Sequence, residues 1–178
     1  PTATEYPPLA PELIHGEWQI RREVFCGANA AHIACNSTWT MSMFQRSVPT
    51  AASVSLLHLG LDKTVFQPRD RADARRALNI PQDRFVVLSA AMKFSDPHKG
   101  GSIFQEVVSR FLGTVHFVAL GGGAESVAVD QSFPQSGDLD FLVQLYAAAD
   151  VFLSTSTAES FGQTLLESAA CGRPTSTR

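Results

Sequence analysis

Residues 150–167 read Asp-Val-Phe-Leu-Ser-Thr-Ser-Thr-Ala-Glu-Ser-Phe-Gly-Gln-Thr-Leu-Leu-Glu. The apolar residues at the start of this stretch predict a short strand, the polar residues after it predict a loop, and Phe161-Gly162 predicts the turn into a helix. The first backbone N–H groups of a helix have no acceptor within it, and the helix dipole adds positive charge at the same end. The turn therefore predicts a phosphate site formed by Phe161, Gly162, Gln163 and Thr164.

Two glutamates flank this turn, Glu159 in the preceding loop and Glu167 in the helix. At about 1.5 Å per residue, Glu167 lies about 7 Å along the helix axis from Gly162, and its side chain tilts back toward the helix start. Glu167 is thus placed to hold the diol of a sugar attached to the phosphate. Glu159 is expected on the other side of the ligand.

Strands and helices alternate along most of the chain. Strands are predicted over 31–36, 85–89, 115–120 and 151–153, and helices over 37–46 with Ser37 as the cap, 71–78, 101–112, 139–148 and 162–170. Strands that are short and almost continuously apolar indicate a sheet covered on both faces. The predicted fold class is therefore α/β, a doubly wound parallel sheet.

Ligands of such a sheet bind beyond the carboxyl ends of its strands, so the loops after the strands are the candidate site. The loop 90–100 carries Lys93 and Lys99, two cations that suit a diphosphate, and ends at Gly100. The loop 121–126 begins with three glycines, but Ser126 stands where a dinucleotide fingerprint has its third glycine.

Composition excludes several classes of protein and site. The 178-residue chain has a net charge of -3, which gives no electrostatic footprint for nucleic acid, and no apolar run has the length of a membrane span. The three cysteines lack metal-ligand spacing and are compatible with a reducing compartment. We expect no metal site and a cytoplasmic protein. The first residue is Pro1, and the chain is expected to be truncated at both ends.

Three motifs stand close together in the last part of the sequence. They are residues 146–156, Tyr-Ala-Ala-Ala-Asp-Val-Phe-Leu-Ser-Thr-Ser, the pair Glu159 and Glu167 with seven residues between them, and residues 170–174, Ala-Cys-Gly-Arg-Pro. Together they resemble the donor-binding half of retaining glycosyltransferases with the GT-B fold, family 4, also called glycosyl transferases group 1. Gly60, Asp62, Phe66 and Pro68 are similar to the connector between the two Rossmann-like halves of that family, and Lys99-Gly100 to its phosphate loop.

The resemblance implies transfer of a sugar from a nucleotide-diphosphate sugar to an acceptor hydroxyl, with retention at the anomeric carbon and without cofactor or metal. It places Glu167 on the ribose, Glu159 near the transferred sugar, and Lys93 and Lys99 as catalytic cations on the diphosphate. The implied acceptor is a glycan or a lipid-linked molecule in polysaccharide or lipid-linked glycan biosynthesis, at the inner face of the membrane if the protein makes peripheral contact with it.

The resemblance also divides the chain. Residues 1–52 correspond to a remnant of the acceptor-side domain, 53–70 to the connector, and 71–178 to an incomplete donor-binding domain, so the chain alone is expected to be inactive. Where the family commonly has Gly-Arg, this chain has Met92-Lys93, which keeps the charge but loses the bidentate fork of arginine.

Two alternatives stay open. A nucleotide-sugar epimerase of the GT-B fold would release free nucleotide without an acceptor, and a non-catalytic nucleotide-binding module would transfer no sugar.

Overall fold

The computed structural model describes residues 11–26, 32–48 and 52–177. The chain divides into two compact units, Pro1–Leu59 and Gly60–Arg178. Across the described ranges, no helix combines the length and the apolar character needed to cross a membrane. The domain limits predicted from the sequence stay a prediction, and residues 1–10, 27–31 and 49–51 of the predicted remnant lie outside the described residues.

The first unit contains a strand-helix-strand segment. Its elements are α1 Pro11–Cys26, β1 His32–Cys35, α2 Thr38–Ser47 and β2 Ser53–Leu56. β1 and β2 pair in parallel, with His32 opposite Ser53. Ser37 caps α2 as predicted, because its hydroxyl accepts a 3.0 Å hydrogen bond from the Thr40 amide.

The second unit is built on a five-stranded parallel sheet with strand order β5-β4-β3-β6-β7. Its elements are α3 Arg71–Leu78, β3 Phe85–Lys93, a 3-10 turn Pro97–Lys99, α4 Gly101–Phe111, β4 Val115–Gly122, a 3-10 turn Ala124–Ser126, β5 Gln131–Phe133, α5 Leu139–Ala148, β6 Val151–Ser154, α6 Gln163–Ala170 and β7 Thr175–Thr177.

Alternate side chains of the central strands enter two separate cores. Val86 and Leu88 of β3 pack with residues of α3 and α5, whereas Val87 and Ala91 pack with Phe104 of α4. Because successive strand residues point to opposite faces, an apolar strand buries both faces only if helices cover both. The predicted doubly wound α/β sheet is confirmed.

A buried ion pair ties the amino ends of β3 and β6. Arg75 is 1% exposed, and its guanidinium donates to Asp150 Oδ2 at 2.7 Å and to the Ala148 carbonyl at 2.9 Å. The same Asp150 oxygen accepts the Val86 amide at 2.8 Å. Burial alone would raise the pKa of Asp150, but the Val86 amide and the Arg75 guanidinium hold that pKa below its usual value.

Two predicted strand ends were wrong. β3 continues to Lys93 instead of ending at Ser89, and β4 continues to Gly122 instead of ending at Leu120. The strands extend because Ala91 pairs with Gly121, and Lys93 pairs with Gly122 after a register shift. A Cβ at Gly121, whose φ is 136°, would lie 1.7 Å from the Ala91 carbonyl oxygen, so only glycine permits this approach. Lys93 is therefore a strand end rather than a loop residue.

Neither α1 nor the strands β2, β5 and β7 were predicted from the sequence. β5 and β7 have only three residues each, too few for a hydrophobic pattern to indicate a strand. The predicted helices over 71–78 and 139–148 have the bounds of α3 and α5.

Candidate functional site

A cavity of about 620 Å³ lies at the carboxyl ends of β3 and β4. Its walls also include the loop after β6 and the first turns of α6, in agreement with the location of ligand sites in open parallel sheets. The lining residues are Ala90, Ala91, Met92, Lys93, Asp96, Lys99, Leu120, Gly121, Gln135, Ser136, Leu142, Tyr146, Glu159, Gln163, Thr164 and Glu167.

Lys99 and Glu159 form an ion pair on the cavity wall, with 2.7 Å between Nζ and Oε1. Their side chains are 27% and 33% exposed, so both groups remain within reach of a ligand. The sequence placed these residues in different loops, and they meet because β3 and β6 are neighbours in the sheet.

Backbone contacts hold the two loops together. The Thr157 amide donates to the His98 carbonyl at 2.8 Å, and the Thr155 hydroxyl donates to the Lys99 carbonyl at 3.4 Å. Gly100 has a φ of 65°, and a Cβ there would lie 1.9 Å from the Thr155 carbonyl oxygen. Gly100 therefore allows the close contact that places Lys99 beside the loop of Glu159.

Glu167 is held by a tyrosine. The Tyr146 hydroxyl, on α5, donates to Glu167 Oε2 at 2.7 Å. Burial, and then the charge and hydrogen bond of Glu167, raise the pKa of Tyr146 well above its usual value. The phenol therefore stays protonated and acts as the donor.

The start of α6 borders the same cavity through Gln163 and Thr164. Gly162 precedes them with a φ of 84°, and among the described residues no side chain caps the start of α6. Within residues 11–26, 32–48 and 52–177, the buried Gln163 Oε1 has no hydrogen-bond partner, while its Nε2 donates to the Gly60 carbonyl at 3.4 Å.

The sequence profile of one family, described as "Glycosyl transferases group 1", matches residues 84–177. The chain belongs to this family. Its match begins at the residue before β3 and ends with β7, so it covers the whole parallel sheet and the cavity. The resemblance drawn from the sequence motifs is confirmed at the level of the family.

Curated relatives of this group 1 glycosyltransferase chain include D-inositol 3-phosphate glycosyltransferases. The protein from Acidothermus cellulolyticus is 34% identical over 138 residues, which are 65% of this chain and 30% of the relative. The protein from Mycolicibacterium gilvum is 32% identical over 138 residues, which are 68% of this chain and 30% of the relative. The chain thus spans about 30% of the length of these relatives.

Solved structures share the fold at lower identity. Sucrose-phosphate synthase from Thermosynechococcus elongatus has a TM-score of 0.76 at 23% identity, over 95% of this chain and 46% of its own. Anabaena HepE in complex with UDP-glucose has a TM-score of 0.76 at 20% identity, over 94% and 50%. WaaG, a glycosyltransferase involved in lipopolysaccharide biosynthesis, has a TM-score of 0.79 at 18% identity, over 98% and 52%. These likenesses confirm the Rossmann-like half of a GT-B fold.

The structure gathers six of the nine predicted site residues of this family member around the cavity. They are Lys93, Lys99, Glu159, Gln163, Thr164 and Glu167. Three others, Gly100, Phe161 and Gly162, are not among the lining residues. Gly100 and Gly162 have positive φ, and they shape the turns that present Lys99 and Gln163.

Sequence reasoning missed Tyr146, Asp96, Gln135 and Ser136, which also line the cavity. Tyr146 is the first residue of the quoted motif 146–156, but no role was predicted for it. In the sequence, Asp96 has the character of a turn residue. The structure agrees, because its carboxylate accepts a hydrogen bond from the His98 amide at 2.9 Å. Gln135 and Ser136 follow β5, a strand too short to be predicted, so no signal placed them at the sheet edge.

Proposed function

We propose that this chain forms the donor site of an enzyme that transfers a sugar from a nucleotide-diphosphate sugar to an acceptor hydroxyl, with retention at the anomeric carbon. One observation carries the proposal: a single cavity at the carboxyl ends of the strands is lined by Lys93, the Lys99–Glu159 ion pair and Glu167. This arrangement offers cations for a diphosphate and carboxylates for the sugars on either side of it.

The chemistry of transfer explains the cations. When the bond between the sugar and the diphosphate breaks, negative charge develops on the departing phosphate oxygens. Fixed positive groups stabilise such charge most where they are preorganised and partly shielded from water. We assign this role to Lys99 and Lys93, assisted by the start of α6 at Gln163 and Thr164, without a bound metal.

The two carboxylates take different roles. Glu167 lies on the same face of α6 as Gln163, four residues earlier, and would accept hydrogen bonds from the ribose hydroxyls. Glu159 already contacts a cation of the proposed diphosphate subsite at 2.7 Å, so it would lie next to the transferred sugar and orient it. Phe161, Gly162 and Gly100 would contribute backbone geometry and amide groups.

The comparisons support a nucleotide sugar as the ligand. HepE, which shares the fold, was crystallised with UDP-glucose, with UDP and glucose, and with UDP. WaaG acts in lipopolysaccharide biosynthesis, and the curated relatives are D-inositol 3-phosphate glycosyltransferases. We propose a cytoplasmic enzyme of polysaccharide or lipid-linked glycan biosynthesis whose acceptor is a glycan or a lipid-linked molecule. Residues 1–52 would belong to its acceptor side, 53–70 to a connector and 71–178 to the donor domain.

Calorimetric titration of the full-length protein with UDP and with GDP tests the site. Glu167→Ala should weaken binding of the preferred nucleotide about tenfold or more, since a hydrogen bond to a charged group contributes about 1.5–3 kcal/mol. Glu106→Ala is the matched control, because Glu106 is exposed on α4 and pairs with Arg110. Equal affinities of the Glu167→Ala and Glu106→Ala proteins would remove Glu167 from the site.

Product analysis tests the reaction. The full-length protein, incubated with a nucleotide sugar and an acceptor, should form a glycoside whose anomeric configuration matches the donor, as read by NMR coupling constants. Release of free nucleotide without an acceptor would favour the epimerase, and tight nucleotide binding without any turnover would favour the non-catalytic module.

A further inference from the structure

The Tyr146 ring is buried, but its hydroxyl contacts a residue of the candidate site. Tyr146 is 2% exposed, and its ring packs against Phe152 and Phe66, with centroid separations of 5.8 and 6.5 Å. The hydroxyl nevertheless reaches the cavity wall and donates to Glu167 Oε2 at 2.7 Å. Because close packing restricts such a buried ring to one rotamer, the position of the hydroxyl in the site is fixed.

Glu167, by contrast, is a long side chain that is only partly buried. Without a partner, it would lose rotamer freedom when a ligand binds, at a cost to affinity. The hydrogen bond from Tyr146 restricts it before the ligand arrives. The bond uses Oε2 alone, and in the part of the chain that the structure describes Oε1 has no hydrogen-bond partner.

We infer that Tyr146 is a positioning residue that holds Glu167 so that its second carboxylate oxygen meets a ribose hydroxyl, and that this pair makes the site select ribonucleotides over deoxyribonucleotides. The inference rests on the proposed function, because it names what one side of the donor site recognises. Tyr146 acts through Glu167 and need not touch the ligand.

The test compares UDP and GDP with their 2′-deoxy and 3′-deoxy analogues by calorimetry on the full-length protein. The unmodified protein should bind the preferred ribonucleotide more tightly than at least one deoxy analogue. Tyr146→Phe keeps the ring and removes the donor, and it should reduce that preference about tenfold, the effect of one hydrogen bond to a charged group. Phe66→Leu, which loosens the packing around the ring but leaves the hydroxyl, should keep the preference.

A double-mutant cycle separates action through Glu167 from direct contact. In a Glu167→Ala background, Tyr146→Phe should have no further effect on the preference, since the group through which it acts is gone. Glu167→Asp is the second variant, because the shorter side chain keeps its charge but no longer reaches the Tyr146 hydroxyl. This variant should lose the preference for the ribonucleotide, and it provides the test if Tyr146→Phe folds poorly.

Three results would overturn the inference. An unchanged preference in a folded Tyr146→Phe protein, or in Glu167→Asp if Tyr146→Phe does not fold, would show that the hydrogen bond does not position the carboxylate. Additive losses in the double variant would show that Tyr146 contacts the ribose itself. If the unmodified protein bound neither UDP nor GDP, the proposed function would fail as well, whereas the first two results leave it intact.

Discussion

Arg75→Met should lower the free energy of unfolding of the second unit far more than Arg76→Met, a replacement of the neighbouring arginine. Arg75 donates at 2.7 Å to Asp150, at 2.9 Å to the Ala148 carbonyl, and at 3.1–3.2 Å to the carbonyls of residues 81, 82 and 84. Its side chain is 2% exposed and that of Asp150 is 12% exposed. Removal of one partner of a buried pair costs about 3–5 kcal/mol when the other charge is left unpaired, and Arg75→Met should cost an amount near the lower end of that range because Asp150 keeps its ion pair with Arg71.

Arg76 provides a matched control on the same helix. It pairs with Asp73, and the two side chains are 64% and 72% exposed, so Arg76→Met should cost about 1 kcal/mol or less. Urea unfolding followed by far-ultraviolet circular dichroism measures both costs. Tryptophan fluorescence would report on the other unit, because both tryptophans, Trp18 and Trp39, lie in Pro1–Leu59.

The same experiment separates stability from binding. Arg75 and Asp150 lie at the amino ends of the strands, whereas the cavity lies at the carboxyl ends. The folded Arg75→Met protein should therefore bind the preferred nucleotide with unchanged affinity. Equal unfolding free energies for Arg75→Met and Arg76→Met would refute the reasoning, and so would a weakened nucleotide affinity in the absence of any loss of stability.

Two more predictions concern Gly100 and Asp150. Gly100→Ala should destabilise the protein more than Gly113→Ala. Both glycines have positive φ, which costs an alanine about 1–2 kcal/mol. A Cβ at Gly100 would in addition lie 1.9 Å from the Thr155 carbonyl oxygen, whereas a Cβ at Gly113 would have no atom within 4 Å. Urea unfolding measures the difference in stability. Equal losses of stability in the two variants would mean that the loops of Gly100 and Thr155 move apart without an energetic cost. Because the folded state holds the pKa of Asp150 below the value of 3.8 expected in the unfolded chain, the stabilisation from its carboxylate is complete above about pH 3.8 and is lost as the pH falls through the folded-state pKa. The acid side of the stability curve should therefore be flatter in Asp150→Asn, as measured by urea unfolding over a pH series, and a curve of unchanged slope would contradict this assignment.

The sequence predicted those helices and strands whose bounds are determined by local residues. The strand over 151–153 and the helices over 71–78 and 139–148 are bounded by polar or small residues, and the observed elements agree with them. The glutamate pair and Lys99 were found because their spacing within a known motif is local information. Their meeting in one cavity follows from parallel order, which places the carboxyl ends of neighbouring strands side by side.

The rest depended on contacts between distant residues. β4 continues through Gly121 because the backbone of β3 approaches it closely, and a glycine in sequence reads as the end of a strand. β5 and β7 have three residues each and exist as strands through pairing with β4 and β6. Tyr146 became a site residue because α5 carries its hydroxyl to Glu167, 21 positions along the chain, and no local pattern encodes that meeting.

The Lys99–Glu159 pair has a consequence for turnover in the proposed enzyme. Without ligand, the lysine is already neutralised by a carboxylate at 2.7 Å, so an arriving diphosphate exchanges one counter-anion for another and gains the difference between the two. The same exchange runs in reverse when the spent nucleotide departs, because Glu159 is at hand to replace it. Because product release limits the rate of many enzymes, the weaker hold on the spent nucleotide that follows from this exchange favours rapid turnover.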